Sequence, residues 1–311
     1  MGRIYGKEAK MGQFILGVGL STVDLIAEIP QFPKENEATF MQSYDKQVGG
    51  PVSNALVTLS RLGIDTVWVG RLGDDEYGEF ILKDMRKEGV NINDVVVEKK
   101  GSSPFSFILV SGQKKRTIIF NPGLSFSLDG EVPEELIKGC DLLHLDGFFI
   151  DGALSAAKKF KDLGKKVSLD AGAILPGLDE LLPYVDLLIP SIDTAKGLTG
   201  RDDYEEMLNL LSKKGPQCVV ITLGEEGSIG MEKGEVIKKD AFKVNVVDTT
   251  GAGDSFHGAF VYGELQGWDL KRKLTFSNAL SALKCTKMGG RRGLPKLEEV
   301  NRFLRERGMV T

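Results

Sequence analysis

The chain has 311 residues with a formal net charge of −4, and 27% of them are charged and 41% hydrophobic. This composition is typical of a globular α/β protein of one or two domains, and the absence of a basic excess argues against a general nucleic-acid binder. No apolar run approaches the ~20 residues of a membrane span, and residues 1–12 lack the apolar core of a signal peptide. We therefore expect a cytoplasmic protein with no membrane contact, whose three scattered cysteines are core residues of a reducing compartment.

Short apolar runs alternate with amphipathic stretches, and this alternation favours a mostly parallel central sheet flanked by helices. After a flexible tail over residues 1–12, strands are predicted at 14–18, 66–69, 142–145, 167–169, 187–189, 219–222 and 244–248, with a strand pair at 228–238. Helices are predicted at 52–62, 78–88, 151–163, 202–213, 253–266, 269–287 and 296–306.

Two stretches interrupt this alternation of strands and helices. Residues 103–121 alternate in hydrophobicity around a turn at Ser111-Gly112, which predicts a β-hairpin with no helix between its strands. Residues 24–46 are more polar and are broken by Pro30 and Pro33. We predict that both stretches form a small β-sheet lid inserted in one α/β domain over residues 13–306.

The strongest chemical signal is the segment Asp248-Thr249-Thr250-Gly251-Ala252-Gly253-Asp254, predicted to join a strand to a helix. Glycines allow backbone N–H groups to approach a phosphate, and a helix N-terminus favours an anion. Asp254 falls in the first helical turn, where the helix dipole stabilises a carboxylate. A carboxylate beside a phosphate pocket can take the proton from an attacking hydroxyl.

This segment matches the D-T-x-G-A-G-D signature of the ribokinase-like (PfkB) carbohydrate kinases. A second segment, Gly49-Gly50-Pro51-Val52-Ser53-Asn54, resembles the G-G-x-x-x-N pattern of that family. The order of elements agrees from residue 13 to about residue 305. The resemblance implies a ribokinase-like sandwich with a β-sheet lid, and transfer of the γ-phosphoryl group of ATP, bound with Mg²⁺, to a hydroxyl of a small sugar.

The resemblance also implies roles for individual residues. The base is Asp254, and the anion hole is formed by the backbone of Gly251, Ala252 and Gly253. The predicted sugar contacts are Asp24, Gly49, Gly50, Asn54, Arg116 and Asp146. The predicted ATP contacts are Thr222, Gly224, Gly227 and Asn278. A monovalent cation, K⁺, is expected beside Asp248 and Thr250, bound mostly by carbonyls that include those of residues 287–293.

One departure points to a branch of the family. Ribokinase-like enzymes often carry an N-x-x-E motif that orders the Mg²⁺ shell, and here Ser191 and Thr194 replace its two residues. The change resembles the ketohexokinase branch, with Asp193 as a substitute carboxylate. The stretch from Leu283 to Arg291 resembles sulfofructose kinases. Ala38 and Gly147, however, stand where such enzymes offer basic residues, so a ketohexose such as fructose is favoured over a sulfonated sugar.

Two alternatives stay open at this stage. A nucleoside kinase of the same family would stack a base on Phe105, Phe107 or Phe120 of the hairpin, and a non-catalytic sugar-binding regulator would share the fold. The resemblance further implies a homodimer formed through the lid. His257, just behind Asp254 on the predicted helix, is expected to serve packing rather than chemistry.

Overall fold

The computed structural model describes residues 13–112, 116–123, 127–128 and 132–309. The tail predicted for residues 1–12 lies outside the described residues. Strands and helices alternate over most of the described chain, as the hydrophobic pattern predicts. The predicted α/β architecture with a separate small sheet is therefore confirmed.

The central sheet has eight strands, in the order β14-β13-β12-β11-β10-β9-β1-β4. Six of them are parallel, and β13 and β14 add an antiparallel edge. The strands are β1 (Phe14–Val18), β4 (Asp65–Val69), β9 (Leu142–Leu145), β10 (Lys166–Ala171), β11 (Leu187–Pro190), β12 (Cys218–Thr222), β13 (Ser228–Glu232) and β14 (Glu235–Lys239). The central strands are almost wholly buried, which explains their continuous apolar runs.

Helices cover both faces of the central sheet and create two hydrophobic cores. One core lies under α1, α8, α9 and α10, and the other under α3, α4, α6 and α7. The helices are α1 (Pro51–Arg61), α2 (Glu76–Lys87), α3 (Glu134–Gly139), α4 (Ile150–Asp162), α5 (Leu178–Leu181), α6 (Ile192–Thr199), α7 (Tyr204–Ser212), α8 (Ala252–Leu265), α9 (Leu270–Lys284) and α10 (Leu297–Arg305).

The lid is a four-stranded sheet in the order β3-β2-β7-β8. Its strands are β2 (Thr22–Ile29), β3 (Ser43–Gly49), β7 (Phe105–Ser111) and β8 (Arg116–Asn121), and a separate two-stranded sheet pairs β5 (Arg71–Gly73) with β6 (Val96–Glu98). Asp24 of β2 pairs with Ser106 of β7, which pairs with Phe120 of β8. These three residues share one face, which we call the inner face of the lid.

Two predictions of local structure need correction. Residues 244–248 are not a strand, because the N–H groups of Val247 and Asp248 donate to the carbonyl of Cys285 instead of to a neighbouring strand. The segment is also not a buried run, since Val246 is 42% exposed. Three valines in five residues mimic a strand in sequence, but the pairing partner is the end of α9.

The second correction concerns the stretch at 24–46. Its proline-broken part is a loop, but strands extend from its two ends, so β2 begins at Thr22 and β3 continues to Gly49. Helix α6 was also not anticipated, although Ser191 accepts a hydrogen bond from the Thr194 N–H as its N-cap.

Candidate active site

The signature segment forms a tight turn that opens helix α8. Gly251 is its N-cap with φ of 75°, and a Cβ built there would lie 2.7 Å from Gly290 Cα. Only glycine combines this left-handed backbone with so close a neighbour. A Cβ built at Gly253 would meet nothing within 4 Å, so this side of the helix N-terminus is open to a ligand. The Ala252 N–H donates to the Thr249 carbonyl at 3.1 Å, so of the predicted anion hole the N–H groups of Gly251 and Gly253 are the ones that suit a phosphate anion.

Asp254 meets a side chain from the other predicted motif. Asn54 of helix α1 donates from Nδ2 to Asp254 Oδ2 at 2.7 Å, across 200 residues of sequence. Burial raises the pKa of Asp254, the nearby Asp170 raises it further, and the bond from Asn54 lowers it. Asn54 is 2% exposed, and its Oδ1 has no hydrogen-bond partner within the described part of the chain. Asn54 therefore holds the carboxylate and keeps one buried acceptor for a further donor.

Asp24 reaches the same region from the lid. It lies on the inner face within β2 rather than in a turn, is 5% exposed, and accepts from Thr22 Oγ1 at 2.8 Å. Burial raises its pKa to about 7. The predicted neighbour Gly49 makes room for it, because a Cβ at Gly49 would lie 2.0 Å from Asp24 Oδ2. Gly50 has φ of 100°, and a Cβ there would lie 2.6 Å from the carbonyl oxygen of Leu20, so it serves close backbone packing beside the site. The contacts of both glycines with sugar stay predictions.

Arg116 joins the lid to the signature segment. Its Nη1 donates to Thr249 Oγ1 at 2.8 Å, and its side chain is otherwise exposed. The Arg116 guanidinium also lowers the pKa of Asp254. This contact places a cation at the edge of the turn that begins α8.

Asp146 follows strand β9 at the carboxyl edge of the sheet, as predicted, but its oxygens already have donors. Oδ2 accepts from the N–H groups of Leu20 at 2.8 Å and Val52 at 3.3 Å, and Oδ1 accepts from Phe148 at 3.1 Å. Burial raises its pKa to about 7. Asp146 thus ties the loop after β1 to the start of α1, and its predicted contact with sugar stays a prediction.

Three of the four predicted nucleotide residues lie at or just after the end of strand β12, and the fourth lies on α9. Thr222 ends strand β12, Gly224 has φ of 61°, and Gly227 has φ of 97°, where a Cβ would lie 2.1 Å from Lys239 O. Asn278 of α9 is buried, accepts from Ser228 Oγ at 3.1 Å, and donates to Lys239 O at 3.0 Å. Its amide fixes the edge strands around this region, and its contact with adenine stays a prediction.

The side chain of Asp248, expected to lie beside K⁺, is engaged by donors of the protein. Its Oδ1 accepts from the N–H of Thr250 at 2.9 Å and from its hydroxyl at 2.8 Å, and Oδ2 accepts from the N–H of Gly289 at 2.7 Å. The backbone carbonyl of Asp248 accepts from Lys284 Nζ at 2.9 Å. A K⁺ ion needs oxygens that replace its water shell, so these bonds disfavour Asp248 as a ligand of K⁺.

The segment that replaces the N-x-x-E motif is a helix cap. Ser191 and Thr194 bond each other, with 3.0 Å between their hydroxyl oxygens, and Asp193 is exposed on the first turn of α6. Among the residues that the structure describes, no cluster of three or more histidine, cysteine or acidic side chains forms a metal site. Binding of Mg²⁺ through nucleotide phosphates and waters stays a prediction.

Sequence reasoning missed a buried network behind Asp254. His257 Nε2 lies 3.2 Å from Asp170 Oδ1, so His257 does more than pack. Burial raises the pKa of Asp170, but the charge and hydrogen bond of His257, together with His144 and the Gly172 N–H, lower it more, so the net direction is downward. Asp170 lies near the carboxyl end of β10, where α/β sheets place ligand-binding groups, and that position was a usable signal.

Comparison with known proteins gives one consistent picture. Residues 13–297 match the family model described as pfkB family carbohydrate kinase. The chain is 30% identical over 247 residues to an uncharacterized sugar kinase of Archaeoglobus fulgidus, covering 76% of this chain and 98% of that protein. It is 28% identical to the ribokinase of Haemophilus influenzae, covering 92% and 97%. It is also 28% identical to a nucleoside kinase of Methanothermobacter thermautotrophicus, covering 94% and 96%.

Solved structures agree with these relatives. The ribokinase of Arabidopsis thaliana complexed with ribose and ATP superposes with a TM-score of 0.84 at 26% identity, covering 94% of this chain and 99% of that one. The ribokinase of Thermotoga maritima gives a TM-score of 0.83 at 26% identity, with the same coverage. Within the ranges described above, no helix is long and apolar enough to cross a membrane.

Proposed function

The chain belongs to the pfkB family of carbohydrate kinases and is an ATP-dependent kinase, and from this premise we propose that it phosphorylates a hydroxyl of a small sugar with Asp254 as general base. ATP and Mg²⁺ are its expected co-substrate and metal ion. The observation that carries the proposal is the bond between Asn54 and Asp254, which fixes a carboxylate at the open N-terminus of α8.

Each residue has one task in the proposed reaction. The sugar lies between the lid and the central sheet, where Asp24 and the unpaired Asn54 Oδ1 accept hydrogen bonds from its hydroxyl groups. Asp254 takes the proton of the attacking hydroxyl, and the N–H groups at the start of α8 stabilise charge on the transferred phosphoryl group. Mg²⁺ supplies further neutralisation of the phosphates. Arg116 holds the lid against Thr249 and so excludes water from the site.

The variant Asp254→Asn tests the base directly. It keeps the shape of the side chain but cannot accept a proton, so we expect turnover to fall about 10²–10⁴-fold while ATP affinity stays nearly unchanged. Asp162→Asn, at an exposed position at the end of α4, is the matched control and should keep wild-type turnover. Near wild-type turnover in Asp254→Asn would remove this carboxylate from the mechanism.

Among sugars, we propose a ketohexose such as fructose as the first candidate. The first support is the departure from the N-x-x-E motif, whose positions here form the hydroxyl cap of α6. The second is that uncharged residues, Ala38 and Gly147, stand where sulfofructose kinases would offer basic residues to a sulfonate. An ADP-release assay against ketohexoses, pentoses, deoxy-sugars and nucleosides decides the matter. A clear preference for ribose would reject the ketohexose and keep the kinase.

A nucleoside acceptor is the second candidate, because one aromatic pair lies beside the inner face of the lid. Phe120 contacts Phe148 across the gap between lid and sheet, with 6.2 Å between ring centroids. Phe105 and Phe107 lie in the opposite register, facing away from Asp24, so of the three predicted stacking rings only Phe120 qualifies. ADP release with nucleosides alone would favour this candidate, and a sugar that binds without ADP release would favour a regulator.

We also propose a homodimer formed through the outer face of the lid and a cytoplasmic location. Phe107 and Ile119 are paired across β7 and β8 and are 47% and 58% exposed. Neighbouring large apolar side chains exposed on one face of a sheet are typical of a protein–protein contact surface. Burial of three free thiols supports a reducing compartment. Sedimentation that shows dimers for the wild type and monomers for Ile119→Lys is expected, and a wild-type monomer at micromolar concentration would refute the dimer.

A further inference from the structure

Lys284, the last residue of helix α9, is a buried cation beneath the signature turn. Its side chain is 0% exposed, and Nζ donates to the carbonyl of Asp248 at 2.9 Å. A lysine is seldom fully buried, because removing an ammonium group from water costs several kcal/mol unless other groups compensate. The proposed sugar contacts and base do not use this group.

The surroundings of Lys284 connect it to the phosphate site. Burial lowers the pKa of Lys284, the nearby carboxylates of Asp248 and Asp254 raise it, and the Arg116 guanidinium lowers it. The ammonium of Lys284 therefore interacts electrostatically with Asp254 and with Arg116. Asp248 begins the turn that ends at the N-terminus of α8. A positive charge below this turn therefore acts in the same direction as the helix dipole on an anion bound above it.

The oxygens near Lys284 are those expected to bind a monovalent cation. Both carboxylate oxygens of Asp248 have donors, its carbonyl accepts from Lys284, and the Cys285 carbonyl accepts from the Val247 N–H at 2.8 Å. The Lys284 ammonium therefore engages the Asp248 carbonyl, one of the oxygens near which K⁺ is expected, and places a positive charge there.

Resting on the proposed kinase function, we propose that Lys284 is a built-in cation of the phosphate-binding turn and that the enzyme works without K⁺. The ammonium holds the Asp248 carbonyl in place and supplies positive charge below the turn. Because the lysine is covalently attached, it is present at every salt composition, whereas a bound K⁺ would depend on its concentration.

The first test replaces KCl with tetramethylammonium chloride at a constant ionic strength of about 0.1 M. Acceptor-dependent ADP release and the calorimetric affinity for MgADP should both stay the same in the wild type. Strong activation by K⁺, or MgADP affinity that requires it, would overturn the proposal. The affinity measurement needs no acceptor sugar, so it decides on Lys284 even if no tested compound is phosphorylated.

Two variants then separate charge from packing. Lys284→Ala removes the ammonium and leaves space, so turnover should fall about 10–100-fold and recover when K⁺, but not tetramethylammonium, is added. Lys284→Met fills the space with an apolar chain, so the same loss should not be rescued. Lys271→Met, at an exposed position on the same helix, is the matched control for net charge. Wild-type turnover in Lys284→Met would refute a role for the charge. If either variant unfolds, the comparison of the wild type in KCl and in tetramethylammonium chloride still tests whether the enzyme needs K⁺.

Discussion

Replacing Asn54 by alanine tests how much the alignment of Asp254 contributes to catalysis. The variant removes the 2.7 Å hydrogen bond from Asn54 Nδ2 to Asp254 Oδ2, which joins the two sequence motifs. A hydrogen bond to a charged group contributes about 1.5–3 kcal/mol, and about 1.4 kcal/mol corresponds to tenfold in rate. We therefore expect kcat/KM at pH 7 to fall about 10–150-fold.

The pH dependence gives this prediction a second, independent readout. Because the bond from Asn54 lowers the pKa of Asp254, its loss raises that pKa, and more of the base is protonated at neutral pH. The acid limb of the kcat/KM profile should move to higher pH, and the deficit should shrink as pH rises. Ser60→Ala, which removes a 2.6 Å hydrogen bond from the same helix away from the site, is the control. An unchanged acid limb in Asn54→Ala would show that the bond does not tune the base.

Three further variants probe the lid, the buried network and stability. Burial raises the pKa of Asp24 to about 7, so its carboxylate loses its charge as pH falls through 7. The KM for sugar of the wild type should therefore rise as pH falls below 7. Asp24→Asn should have a high KM that no longer depends on pH. Asp170 raises the pKa of Asp254, so Asp170→Asn should move the acid limb of kcat/KM to lower pH, and an upward movement would contradict this coupling. Lys273 is 1% exposed and forms ion pairs with Glu232 and Glu264. Lys273→Met leaves both carboxylates without their cation, so the free energy of unfolding measured in urea should fall by about 3–5 kcal/mol. A fall of less than about 1 kcal/mol would mean that these ion pairs behave like solvated surface pairs.

The local pattern was sufficient for most of the fold. Strands β1 and β9 occur at the predicted residues, and the remaining central strands and long helices agree within a few residues. Buried parallel strands require continuous apolar runs and amphipathic helices require spaced ones, so both are visible in the sequence. The false strand at 244–248 marks the limit of this reasoning, because apolar composition does not name a pairing partner.

The chemistry of the signature could also be predicted from the sequence. The roles of Gly251 as the cap of α8 and of Asp254 in its first turn depend only on local backbone geometry. The partners of these residues were not readable from the pattern alone. Asn54 meets Asp254 across 200 residues, and Arg116 meets Thr249 across 133. Such contacts depend on how the lid and helix α1 are packed on the sheet.

The sequence by itself determined the family, the type of reaction and the positions of the two motifs. Only the tertiary structure decided which charges are buried and what they touch: Asp146 and Asp248 have their oxygens engaged by backbone N–H groups, while Asp170 meets His257 and Lys284 lies beneath the turn. The physical reason is that a charged residue in a sequence carries no mark of its burial. Its environment, and with it its pKa and its role, is set by elements that come together only on folding.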